Sequence, residues 1–149
     1  MKFEIPKPMK IEHDELHAEL VKATKAGGRT GDAARAVASV LHPHFVKEEE
    51  YALPPLGLLA KLIDGDVEPE MADVLKMTDK LEAELPQMLA EHRDIVAALS
   101  RLVDAAKDEN RPEIAQFAEK LMAHAQTEEQ VSYPTALLIG RYVKSKLSA

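Results

Sequence analysis

Two stretches of this chain pair a histidine with a glutamate one helical turn later and close on a proline: HFVKEEEYALP at 44–54 and HAQTEEQVSYP at 124–134. Residues four apart share a helix face, so in each stretch an imidazole nitrogen and a carboxylate oxygen point the same way. Nitrogen and oxygen donors placed together can move a proton or hold a cation. Two more histidines sit in a second matching pair, EHDELHAEL at 12–20 and EHRDIVAAL at 91–99, which align as EHx(D/E)(L/I)xAxL. His13 precedes His92 by 79 residues and His44 precedes His124 by 80, so the order His, then HxxxE, occurs twice at spacings that agree to within one residue. This is the pattern of a duplicated helical hairpin.

The neighbouring residues turn these groups inward. Val37, Leu41, His44 and Glu48 fall on one helical stripe, and Phe117, Leu121, His124 and Glu128 repeat it. His13 is in line with Leu16 and Leu20, and His92 with Leu85, Met88, Ile95 and Leu99. Punctuation marks out the rods that carry the stripes. A first helix is expected from after Pro8 to the Gly27–Gly28 pair. A second is expected from Thr30, as N-cap, to the Pro54–Pro55 pair, with a kink at Pro43. LGLLAKLI predicts a short extra helix. A third helical region opens at Pro69 and keeps one apolar phase across Pro86 to about Lys107, and a fourth runs from Pro112, kinked at Pro134, almost to the C-terminus. Abundant Ala, Leu, Glu and Lys with few aromatic residues suit the same all-α class. Four main helices with short connections pack most simply as an antiparallel up-down-up-down four-helix bundle, and 149 residues suit one domain over 1–149.

A single histidine on an apolar face is ordinarily a hydrogen-bonded core residue. Four histidines with two carboxylates in core register differ, because burying an unpaired carboxylate costs several kcal/mol, and buried charges persist when paired or coordinating metal. Glu48 and Glu128 bring two negative charges together, and two divalent or trivalent cations would neutralise them. The chain has no cysteine, which excludes disulfides, thiolate metal sites and thiol nucleophiles and leaves nitrogen and oxygen as donors. Ferritin-like ExxH pairs are absent, since Lys10, Leu41, Leu89 and Leu121 stand three residues before the histidines. No HExxH occurs. DGDVEP at 64–69 has Pro69 and Leu75 where a calcium loop needs its glycine and its bidentate glutamate.

A net charge of −7 with no basic stripe lacks the electrostatic footprint of a nucleic-acid binder. The longest uncharged apolar run, YALPPLGLLA, is well short of the roughly 18 residues of a membrane span. The start, MKFEIPKPMKIEHDE, turns acidic before any apolar core of a secretory signal. A cytoplasmic protein without a membrane partner is the expectation.

The four motifs in order, EHDEL, HFVKEEEYALP, EHRDI and HAQTEEQVSYP, resemble the hemerythrin-like family of HHE cation-binding domains over nearly the whole chain. That resemblance implies a non-haem di-iron centre: two iron ions joined by a bridging oxygen, His13, His44, His92 and His124 as terminal ligands, and Glu48 and Glu128 as bridges. Imidazole and carboxylate also suit manganese and zinc, so iron comes from the family and not from the spacing. The implied partner is O2 or another small diatomic or peroxide ligand. The implied role is to bind or sense that ligand, or to handle iron; the alternative is a di-iron oxidase or peroxidase enzyme.

There is one departure from the family pattern. Oxygen-carrying hemerythrins have HxxxH on the third helix, whereas Val96 stands four after His92. His17, four after His13, holds the pseudo-symmetric position and is the candidate fifth ligand; its alternative is a histidine at the solvent edge. Two octahedral irons offer about twelve positions, roughly half of them taken by two bridging carboxylates and a bridging oxygen, so five histidines would leave one open and four would leave two. His42 and Glu50 read as surface, Glu49 and Glu129 as solvated or imidazole-orienting, and Tyr51 and Tyr133 as packing residues.

Overall fold

The computed structural model describes residues 2–148, and every regular element among them is helical. Six α-helices follow in order: α1 (Lys7–Thr24), α2 (Gly28–Lys47), α3 (Leu59–Asp64), α4 (Val74–Asp108), α5 (Pro112–Thr127) and α6 (Tyr133–Leu147). A π-helical turn over Glu48–Ala52 extends α2 and a second over Glu128–Ser132 joins α5 to α6; 3-10 turns over Pro54–Leu58 and Pro69–Asp73 flank α3. The result is four long rods: α1, α2 with its π turn, α4, and α5 continued by α6. Among the described residues no helix is long and apolar enough to cross a membrane.

Local chemistry sets the boundaries. Pro8 falls in the first turn of α1, where no N–H is needed from it, so the helix starts at Lys7 and not after Pro8. Gly27 and Gly28, with φ of 76° and 58°, turn α1 into α2 through the left-handed region. Thr30 is not the N-cap, because α2 already begins at Gly28. Instead the Thr30 amide and hydroxyl donate to Glu109 Oε1 at 2.7 and 2.5 Å, and the Arg29 amide donates to Glu109 Oε2 at 3.2 Å. The first turn of α2 is thus capped by a carboxylate just past the end of α4, which also suits the positive end of the helix dipole. Pro43 and Pro86 lie inside α2 and α4, which continue through them.

The two π turns repeat one design. Leu53 N–H donates to the Glu48 carbonyl at 2.9 Å, and Tyr133 N–H donates to the Glu128 carbonyl, each bond spanning five residues instead of four. Each is followed by a proline, Pro54 or Pro134, whose missing N–H would interrupt the α-helical ladder.

The rods meet apolar and polar layers in a common order. One large apolar cluster gathers Leu16 and Leu20 of α1, Val37 and Leu41 of α2, Ile95 to Val103 of α4, and Phe117 and Leu121 of α5. Two smaller ones lie toward the other end, around Leu53, Met71, Val74 and Ile139, and around Tyr51, Leu81, Met88 and Tyr133. Between them come His13, His44, Glu48, His92 and Glu128, all buried. On α4, for instance, His92 separates Met88 of a small cluster from Ile95 of the large one.

Helix α6 lies close against α4 at Gly140, where an added Cβ would collide with the Thr78 side chain. Gly140→Ala is expected to lower the unfolding free energy by about 1–3 kcal/mol through overpacking, read as an earlier midpoint in denaturant melts. An unchanged midpoint would mean that the two helices separate at no cost.

Candidate metal centre

Each of the four rods delivers one histidine to the buried layer. His13 comes from α1, His44 from the last turn of α2, His92 from the middle of α4 and His124 from the last turn of α5; Glu48 and Glu128 open the two π turns. Glu48 is 0% exposed and the rest at most 3%, except His124, whose side chain is 12% exposed. Ligand-type atoms of His44, Glu48, His92 and Glu128 lie within 4.8 Å of one another, as do those of His13, His124 and Glu128.

Both carboxylates divide their oxygens between two histidine pairs. Glu128 Oε1 is 3.4 Å from His92 Nε2, while its Oε2 is 3.2 Å from His124 Nε2 and 3.5 Å from His13 Nε2. Glu48 Oε2 is 3.5 Å from His44 Nε2, while its Oε1 is 3.6 Å from His13 Nε2. One pair is therefore His44 with His92, ring centroids 4.6 Å apart, and the other His13 with His124, 5.4 Å apart. Each of these four histidines turns Nε2 inward.

The outward nitrogens meet a second set of carboxylates. Nδ1 of His44 bonds Glu91 at 2.8 Å, Nδ1 of His92 bonds Glu129 at 2.9 Å, and Nδ1 of His124 bonds Glu12 at 2.5 Å. An ionised carboxylate only accepts, so each of these nitrogens carries a hydrogen, and when the ring is neutral, as a metal ligand must be, its lone pair is at Nε2. His13 Nδ1 stands farther off, 3.7 Å from Glu49 Oε2. Glu49 is gripped by Lys10 at 2.8 Å, and Glu91 by Lys47 at 2.7 Å and Gln87 at 3.2 Å. The sequence reading allowed an orienting part for Glu49 and Glu129; it missed Glu12 and Glu91, although both are the Glu of the EH motif.

The electrostatics follow from crowding like charges in a dry layer. Burial and the facing Glu128 charge push Glu48 up to about 7. Against its own burial, Glu128 is held well below the carboxylate range by the Glu48, His124, His13 and His92 side chains that face it. His124, despite burial, is raised to about 9 by Glu128 and Glu12. Burial would raise Glu91, but Lys47, His44 and Gln87 bring it down to about 2. Glu48 Oε1, His124 Nε2 and His13 Nδ1 are buried without a hydrogen-bond partner, and such groups call for an explanation. The first two face the layer where the carboxylates converge. Four inward imidazoles and two shared carboxylates form a donor set that could hold metal cations.

Two sequence expectations change here. His17 lies apart from both groups: it is exposed, its ring 5.9 Å from that of His42. Phe45 stacks on His13 at 4.1 Å and lines the same cavity of about 170 Å³ as His17 and His42, so an apolar ring fills that flank. Tyr133 is more than packing. It is 1% exposed, and its hydroxyl donates to Glu48 Oε2 at 2.5 Å and lies 3.1 Å from Nε2 of both His44 and His92. Tyr51 instead donates to Met88 Sδ at 3.6 Å, and His42 and Glu50 are exposed as expected.

Among known proteins, the family model of the hemerythrin HHE cation binding domain matches residues 15–136, which include five of the six clustered side chains and stop two residues short of His13. No curated protein and no solved structure matches the chain.

The shifts dictate how metal-free protein responds to pH. Glu48 keeps a proton between its ordinary 4.5 and about 7, and His124 between its ordinary 6.5 and about 9, where the unfolded chain has lost both. The folded state then binds more protons than the unfolded one, so stability falls as pH rises across each window. Glu91 acts oppositely, its contribution fading only below its ordinary 4.5. Melts with a chelator present are expected to show a midpoint that declines from about pH 5 to about pH 9, the lower half flattened in Glu48→Gln. A midpoint that climbs over this range would contradict the picture.

Proposed function

The chain belongs to the hemerythrin HHE cation-binding domain family, and from that premise we propose that it is a di-iron protein that binds or senses O2 or a related small ligand, or handles iron. What supports this most directly is the way both buried carboxylates divide their oxygens between the two histidine pairs. On this reading His44 and His92 would hold one iron and His13 and His124 the other, with Glu48 and Glu128 shared between them. Iron is taken from the family, since these donors suit manganese and zinc as well. Bound there, the metal pair supplies Lewis acidity and redox capacity toward a small ligand.

The chain's own residues do the rest. Glu12, Glu91 and Glu129 fix the tautomers of His124, His44 and His92 so that Nε2 faces inward. The apolar layers on either side keep water and bulky molecules away from the donors, which favours a small ligand over a large substrate. We read residues 1–149 as one domain with up-down-up-down rods, because each rod meets the same layers in turn. The fifth histidine ligand is not carried forward, His17 being exposed and outside both groups. Having four histidines there, not five, favours a second reading, a di-iron oxidase or peroxidase, since a further position is left for a reactant.

Protein loaded anaerobically with ferrous iron is expected to bind about two irons per chain and to melt at a higher temperature than the metal-free form; Glu48→Ala and Glu128→Ala should lose both effects. Failure of the unaltered chain to bind iron would sink the proposal. Glu12→Ala and Glu91→Ala are expected to weaken binding by roughly 10- to 100-fold while keeping the stoichiometry, as measured by competition with a chelator. Steady-state consumption of peroxide would favour the enzyme, and a single stoichiometric turnover the binding protein.

A further inference from the structure

We propose that Tyr133 is itself a ligand of the centre, its phenolic oxygen completing the half built by His44 and His92. This rests on the reading that the centre binds metal. The hydroxyl is placed as a ligand would be. Donors on adjacent corners of an octahedron with bonds of roughly 2.1 Å lie about 3.0 Å apart, and the Tyr133 oxygen is 3.1 Å from His44 Nε2 and 3.1 Å from His92 Nε2. Its third neighbour, Glu48 Oε2 at 2.5 Å, belongs to the same set.

Hydrogen-bond counting points the same way. With Nδ1 of His44 and His92 donating to Glu91 and Glu129, both rings, in the neutral form that binds metal, aim lone pairs at the phenolic oxygen. One hydroxyl hydrogen faces three acceptors and satisfies only Glu48. A cation among these four atoms satisfies all of them at once, and the O–H proton leaves to solvent as the oxygen–metal bond forms.

The backbone supplies the reason this tyrosine arrives. A turn closed from Glu128 to Tyr133 brings the fifth residue over the glutamate, where an α-helix would bring the fourth. The first half of the chain makes the same turn, but the residue at that offset is Leu53, buried and without a donor. The two metal positions are therefore unequal: the one at His44 and His92 gains an oxygen ligand, and the position left for a small ligand falls beside His13 and His124.

The full chain, loaded anaerobically with ferrous ammonium sulfate and then oxidised in air, gives the test through metal analysis, visible absorption and resonance Raman spectra. We expect a visible phenolate-to-iron(III) band with enhanced tyrosine ring vibrations, lost in Tyr133→Phe and kept in Tyr51→Phe and Tyr142→Phe. Superimposable spectra for the unaltered chain and Tyr133→Phe would overturn the assignment. Should Tyr133→Phe fail to fold, the Raman spectrum of the unaltered chain decides alone: the chain has only three tyrosines, and absence of coordinated-phenolate vibrations refutes the ligand. Two irons per chain without those vibrations would sink this proposal and leave the metal-binding function standing. No bound iron would sink both.

Discussion

Two carboxylates face each other in a layer of the bundle that water does not reach, and the rest of the interior is arranged around that charge. Neither Glu48 nor Glu128 could stay ionised there alone, since the penalty runs to several kcal/mol for each. Around them the sign of charge alternates outward. Four imidazoles face the pair, carboxylates back three of those rings within hydrogen-bond distance, and Lys10 and Lys47 hold two of the outer carboxylates from near the surface. Apolar clusters close the layer above and below. Metal cations suit the middle of such a series, where the two buried carboxylates face each other with no positive charge between them.

The backbone had to be altered locally to make this layer. The π turns start at the two glutamates themselves and give each rod one extra residue before its proline. That residue changes which side chain follows the glutamate inward, and it does so twice in the same way.

Much of this was readable in the chain. The inward histidines and glutamates show because apolar residues keep a 3.6-residue period on both sides of them and because the pattern occurs twice. The helices show through proline and glycine. What stayed hidden depends on partners far away in sequence or on a broken period. Glu109 caps α2 from 79 residues off, and Glu12 and Glu91 serve histidines on other rods, so their neighbour in sequence is not the ring they hold. Stripe counting also assumes 3.6 residues per turn, which fails across a π turn, so it does not bring Tyr133 beside Glu48. His17 is the converse case: its spacing from His13 matches the pattern, but spacing along one helix does not reveal that Phe45 packs on that flank.

The orienting contacts have one more consequence. Glu12 of the first half holds His124 of the second, and Glu91 of the second holds His44 of the first. Each histidine pair likewise takes one ring from either half. Residue i of one half meets residue j of the other while j meets i, which is the rule of an isologous contact between two copies of a subunit. The chain thus carries, within one polypeptide, the contact pattern of a two-fold pair, and neither hairpin by itself holds both rings of either histidine pair.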